Sequence, residues 1–357
     1  MRRSTVLAVA LALLVSACGG GPAAQTSTPT ASGQASKPPR AKVTVAVGSA
    51  ASLIYLPWDL AKALGYFEDE NLDVDLQYQS GGTPAATALL SGSVDFSGNS
   101  LDHSIRAQLQ QKPTKMVVSF ARLPGVALVV RADQKDKIKS FADFKGKTVG
   151  ATAVGSGTHI LLTYLLKTQG GLEPEKDYKF VPVGSSTMAA ALDKGDVVAA
   201  MNSDPFVTQY VNAGKGLVFA DLRKEDETMK LLGGVYQFTG AVTRADVLQQ
   251  KGELVQRVVN ALVRANRFIA ANSAKDIAAK LPKSVTGDDL DLYLKALEAG
   301  KGYLSKDGIV DKAGVQTVIK INTVFGQAYP QQALFTDASK IDVDGLFDNS
   351  FAQKAKP

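Results

Sequence analysis

The chain has 357 residues, 45% of them hydrophobic and 21% charged, with a formal net charge of +6. That length suits one large or two medium domains, and the composition is that of an ordinary globular protein. Lys and Arg are scattered among Asp and Glu, which excludes a nucleic-acid-binding stripe. The single cysteine, Cys18, excludes an internal disulfide and a cysteine-based metal site, and the separated His103 and His159 offer no zinc motif.

Arg2 and Arg3 precede an apolar run, Val6 to Val15, which is too short to span a bilayer. Ser16, Ala17 and Cys18 follow, so Val15-Ser16-Ala17-Cys18 resembles a bacterial lipobox. The resemblance implies that residues 1–17 are a signal peptide and that Cys18 carries lipid. Loss of Arg2 and Arg3 takes the net charge from +6 to about +4. Residues 18–41 then read as the lipidated cysteine and a linker rich in Gly, Pro, Ala, Ser and Thr, unable to bury enough apolar surface to fold. As a flexible tether it reaches about 25 Å.

From Lys42 strands and helices alternate, the pattern of an α/β fold with a largely parallel sheet. Strands are expected at Val43–Val47, Val74–Tyr78, Val94–Ser97, Met116–Phe120 and Val126–Val130, with helices at Pro57–Leu64, Pro84–Leu90 and Leu101–Gln110. The pattern restarts with strands Thr148–Ala151, Phe180–Val183 and Val197–Met201 and helices Thr158–Lys167, Met188–Leu192 and Pro205–Asn212. Tyr236–Thr243 reads as a strand, and the rest is mostly helical. Ala46-Val47-Gly48-Ser49 recurs as Ala153-Val154-Gly155-Ser156. Ala88-Leu89, Gly92, Val94, Asn99 and Ser100 recur as Ala191-Leu192, Gly195, Val197, Asn202 and Ser203. Two nearly equal offsets inside matching patterns indicate two lobes of similar topology.

In such sheets a ligand sits beyond the carboxyl ends of the strands. The turns there are rich in Gly, Ser, Thr and Asn, and they nominate Ser49, Leu53, Gly82, Asn99, Ser100 and Asn202. Gly155-Ser156-Gly157-Thr158 before a helix reads either as an anion cradle or as ordinary helix capping. Tyr55, Trp58 and Phe238 are candidates for stacking on a flat ligand, or are core. Arg122 would pair with a carboxylate or sulfonate, or is a surface arginine; Asp204 would meet an amine, or caps the helix after Pro205. His103 and Arg106 face the cleft only if they do so from the first turn of their helix. Gly146-Lys147-Thr148 lacks the upstream glycine of a Walker A loop, and Ile160 breaks a dinucleotide fingerprint starting at Gly155.

Ala61-Lys62-Ala63-Leu64-Gly65-Tyr66-Phe67 with Asn71-Leu72-Asp73-Val74, Ala88-Leu89-Leu90-Ser91-Gly92-Ser93-Val94-Asp95 and Asp143-Phe144-Lys145-Gly146-Lys147-Thr148-Val149-Gly150 resemble, in order, segments of the nitrate/sulfonate/taurine-type periplasmic binding proteins. Asn71 stands where the family usually has glycine. The resemblance implies a type II clamshell with lobe I at residues 42–130 and 236–357 and lobe II at residues 131–235. It implies an extracytoplasmic lipoprotein of an ABC importer that delivers a small organic ligand, a sulfonate, taurine-like compound or aromatic carboxylate, to permease and ATPase subunits. A vitamin or precursor, riboflavin or a thiamine pyrimidine, is the alternative ligand, and an extracytoplasmic sensor the alternative role. A sensor would need a transmembrane helix downstream, and none precedes Pro357. Some members of the superfamily make a pyrimidine and carry a cysteine cluster, which Cys18 alone does not supply. No catalysis, cofactor, metal or nucleic acid is expected, and the chain is expected to be a monomer.

Overall fold

In the computed structural model, residues 38–330, 335 and 337–356 are described. Cys18, the signal peptide and the linker up to residue 37 lie outside the described residues. Ten strands form two five-stranded sheets. They are β1 Ala41–Val47, β2 Leu72–Tyr78, β3 Phe96–Ser100, β4 Thr114–Ser119, β5 Val126–Arg131, β6 Thr148–Ala151, β7 Lys179–Pro182, β8 Ala199–Ser203, β9 Gly216–Asp221 and β10 Thr239–Arg244.

The first sheet has the order β2-β1-β3-β10-β4 and the second β7-β6-β8-β5-β9. In each, a single strand runs antiparallel to both of its neighbours, β10 in the first and β5 in the second. Each of these strands also carries a register shift, at Ala241/Val242 and at Leu128/Val129. β5 was expected to close the first lobe. Instead it pairs with β8 and β9, so the chain changes sheet before Val126. Its apolar run, Val126-Ala127-Leu128-Val129-Val130, is buried on both faces and fits the interior of either sheet. β9 was not expected; it forms an edge of the second sheet, with Leu217 and Val218 exposed.

Helices cover both sheets. Gly157–Gly170 is buried along its first ten residues, Gly157 to Leu166, as an apolar helix inside a large core must be. Gly252–Ala271 buries one stripe, including Val255, Val258, Val259, Leu262 and Ile269. Lys312–Ala328 places Phe325 against His159 of the second lobe. Trp58 is fully buried in the first lobe among Phe67, Phe96 and Phe120, at centroid distances of 5.9, 6.3 and 6.0 Å. It lies on β3 at Gly98, where an added Cβ would meet its Nε1 at 2.8 Å. Among the described residues no helix is long and apolar enough to cross a membrane.

Candidate functional site between the lobes

The carboxyl ends of both sheets meet at one cavity. Gly48, Ser49, Ser52, Ile54, Tyr55, Gly81, Gly82, Ser100 and Phe238 line it from the first lobe; Thr152, Ser156, Gly157, Thr158, Ser185, Asn202 and Ser203 line it from the second. Its volume is about 20 Å3, room for about one water molecule. The lobes are therefore closed on each other, and an organic solute enters only when they part. Ser52 Oγ meets Ser203 Oγ at 2.7 Å, and Leu53 N–H donates to the Asp204 carbonyl at 2.9 Å across the seam.

Every lining side chain is uncharged. Thr152, Ser156 and Thr158 form a hydroxyl triangle with sides of 3.0, 2.8 and 2.9 Å. Ser156 is also the N-cap of the helix Gly157–Gly170 and accepts from His159 N–H. Burial, and then the Asp102 carboxylate, push the Tyr55 hydroxyl well above its ordinary range, so it faces the cavity as a neutral phenol. The arrangement offers hydroxyls, helix-start N–H groups and two aromatic rings, a lining suited to gripping a small molecule.

Asn99 and Asn202 occupy matching places. Asn99 Nδ2 donates to Gly82 O at 2.8 Å and its Oδ1 accepts from Ser100 N–H at 2.9 Å. Asn202 Nδ2 donates to Ser185 O and its Oδ1 accepts from Ser203 N–H, both at 2.9 Å. Each asparagine ties the end of its strand to a neighbouring turn, which is the structural content of the sequence repeat.

Of the nominated residues, Ser49, Tyr55, Gly82, Ser100, Ser156, Gly157, Thr158, Asn202 and Phe238 line the cavity. The others do not. Trp58 is core, and Leu53 is buried beside the seam. Asn99 points at Gly82. Gly155 meets Arg106 and His159 rather than the cavity. Arg122 pairs with Glu225 at 2.6 Å on a separate surface groove with Lys301 and Leu304. Asp204 is fully buried, accepting from Thr208 and paired with Arg223 at 2.8 Å. Sequence reasoning did not single out Ser52, Ile54, Gly81, Thr152, Ser185 or Ser203. Ser203 and Ser185 were reachable through the repeat, since at the same offset Ser203 matches Ser100 and Ser185 matches Gly82.

Neither histidine lines the cavity. Burial pushes His103 down to about 4 and His159 down to about 3, so both are neutral imidazoles. Among the described residues no cluster of side chains is arranged to hold a metal ion.

Two like α/β lobes with a polar cavity between the carboxyl ends of their sheets define the periplasmic-binding-protein fold. The family described as NMT1/THI5 like matches residues 55–275, and the chain belongs to that family. It is 25% identical over 70% of its length to the putative binding protein YtlA of Bacillus subtilis, of which it covers 73%. It is 26% identical over 83% of its length to the riboflavin-binding protein RibY of Chloroflexus aurantiacus, of which it covers 83%. A 4-amino-5-hydroxymethyl-2-methylpyrimidine phosphate synthase of Aspergillus parasiticus is 24% identical over 74% of the chain and 77% of that enzyme. A solved structure from Bordetella bronchiseptica superposes with a TM-score of 0.81 at 28% identity, covering 88% of this chain and 97% of that one. The alkanesulfonate-binding protein SsuA of Xanthomonas axonopodis superposes at 0.68 and 18% identity, covering 85% and 98%.

Proposed function

We propose that this chain is the extracytoplasmic solute receptor of an ABC importer, held to the membrane by lipid on Cys18, and that it has no catalytic role. The observation that carries the reading is the cavity itself: both lobes contribute to it, and none of its side chains is charged. The lining carries no carboxylate, imidazole or ammonium to act as general acid or base, and its one phenol, Tyr55, is held neutral by burial. It does supply hydroxyls and helix-start N–H groups, which suit a sulfonate, a taurine-like compound or an aromatic carboxylate bound by neutral donors. Tyr55 and Phe238 on the wall favour a second reading, a flat vitamin or precursor such as riboflavin or a thiamine pyrimidine. The lobes part by hinge motion to admit the solute and close again on it, and the closed monomer docks on the permease.

A thermal-shift screen with taurine, alkanesulfonates, nitrate, aromatic acids, pyrimidines and riboflavin tests this. A true ligand at 100 times its Kd adds about 2.7 kcal/mol of stability. No shift with any compound removes these ligand classes, and turnover of any of them removes the receptor reading.

A further inference from the structure

We propose that Arg106 is a clasp across the cleft: a positioning residue that holds the second-lobe turn Ala153–Ser156 by the Gly155 carbonyl, acting on a solute only through that turn. Arg106 lies on the first-lobe helix Asp102–Leu109. Its Nη2 donates to Asp102 Oδ2 at 2.9 Å, and Asp102 is fully buried, which anchors the guanidinium to the first lobe. The same Nη2 donates to Gly155 O on the opposite lobe. Gly155 has φ +68°, and a Cβ there would stand 2.5 Å from Arg106 Nη1. Glycine is required there by the left-handed backbone, and its lack of a Cβ lets the cation approach closely.

The neighbouring peptide is held from the same side, since Thr83 Oγ1 of the first lobe donates to Val154 O at 2.9 Å. From behind, Gly155 N–H donates to His159 Nδ1 at 3.0 Å. That ring is stacked on Phe180 at 3.6 Å, with its Nε2 3.2 Å from the Tyr329 hydroxyl. Gly155 is therefore gripped through its carbonyl by one lobe and through its N–H by the other. The turn runs directly into Gly157 and Thr158, which line the cavity, whereas Arg106, Thr83 and His159 do not. The effect on solute binding rests on the receptor reading, but the clasp itself does not.

Hydrogen–deuterium exchange on the full chain without added solute tests the clasp. Arg106→Ala is expected to speed exchange across residues 152–158 about tenfold, the effect of losing a hydrogen bond from a charged donor. Arg106→Lys, which keeps a cation but not the fork, recovers part of the protection. Thr83→Ala gives a smaller increase, about threefold. Peptides from β1 and β10 stay unchanged. Exchange over 152–158 within twofold of wild type in Arg106→Ala overturns the proposal. If Arg106→Ala loosens the whole molecule by stranding Asp102, Thr83→Ala decides, because this half-buried hydroxyl donates to the Val154 carbonyl of that turn and strands no charge; unchanged exchange there overturns it. Failure of the receptor reading would show instead in the solute screen, with the exchange result intact.

Discussion

The two lobes present the same turn on different foundations. Asn99-Ser100 and Asn202-Ser203 make matching hydrogen bonds at the ends of β3 and β8. Beneath the first, Trp58 packs with Phe67, Phe96 and Phe120. The second has a separate smaller cluster that includes Ala127, Val129, Met188 and Val207, and a buried ion network in which Arg223 joins Asp204 and Asp221 at 2.8 and 2.7 Å. One site geometry is thus supported by aromatic packing on one side and by paired charge on the other.

The largest effects should come from removing either foundation. Trp58→Ala should cost about 3–5 kcal/mol in urea unfolding, the range for deleting a large buried aromatic. A variant that keeps its stability but loses solute binding would return Trp58 to the cavity wall. Replacing both Asp204 and Asp221 with Ala strands Arg223, whose guanidinium burial pushes down but these two carboxylates hold well above its ordinary range. Leaving one buried charge unpaired costs about 3–5 kcal/mol. A loss below about 1 kcal/mol would place this network with surface ion pairs instead.

The matched asparagines sharpen the comparison next. Asn99→Ala and Asn202→Ala each remove two buried hydrogen bonds and leave the Ser100 or Ser203 N–H without its side-chain acceptor, at about 1–3 kcal/mol. Equal costs are expected in the same unfolding assay. A large inequality would mean that the shared geometry is not shared energetically.

These asparagines also mark how much was legible in sequence. Their offset of 103 residues, with Gly92/Gly195 and Val94/Val197, pointed to two like lobes. The β-branched run Val43–Val47 gave β1. The strand β3, Phe96-Ser97-Gly98-Asn99-Ser100, was placed too early because its polar residues read as a turn. They are buried because the backbone satisfies the Asn99 side chain, which hydropathy does not register. Tyr55 and Trp58 are one turn apart and were weighed alike. Tyr55 ends the short turn before the helix Leu56–Ala63 and faces the cavity, whereas Trp58 lies inside that helix and faces the core. The sheet change at β5 depends on which edge is open to it, and no local pattern encodes that.

A smaller effect is confined to the first lobe and depends on pH. Burial raises the Asp59 carboxyl from 3.8 to about 6, opposed by the Tyr78 hydroxyl and by Lys62. An acid with a raised folded pKa binds protons more readily in the folded than in the unfolded chain. Wild-type stability should therefore fall, relative to Asp59→Asn, as pH rises from about 4 to about 6, by about 1–2 kcal/mol, and stay level above that. The difference between the two proteins in urea midpoints across this interval measures it. A flat difference would mean that Tyr78 and Lys62 offset the burial fully.

The smallest effect is expected at Arg122, where the sequence offered an anion-binding arginine and the structure gives an exposed pair with Glu225. Solvent screens such a pair, and its long side chains lose rotamer freedom in forming it. Arg122→Ala should cost about 0.2–1 kcal/mol, and about as much again should be lost from the wild-type pair in high salt. Solute affinity should not change, since Arg122 lies on a different surface from the hydroxyl-lined cavity. A marked loss of affinity for a sulfonate or carboxylate would require Arg122 to enter the cleft when the lobes open, and it would break the contrast between a neutral site and charged surroundings.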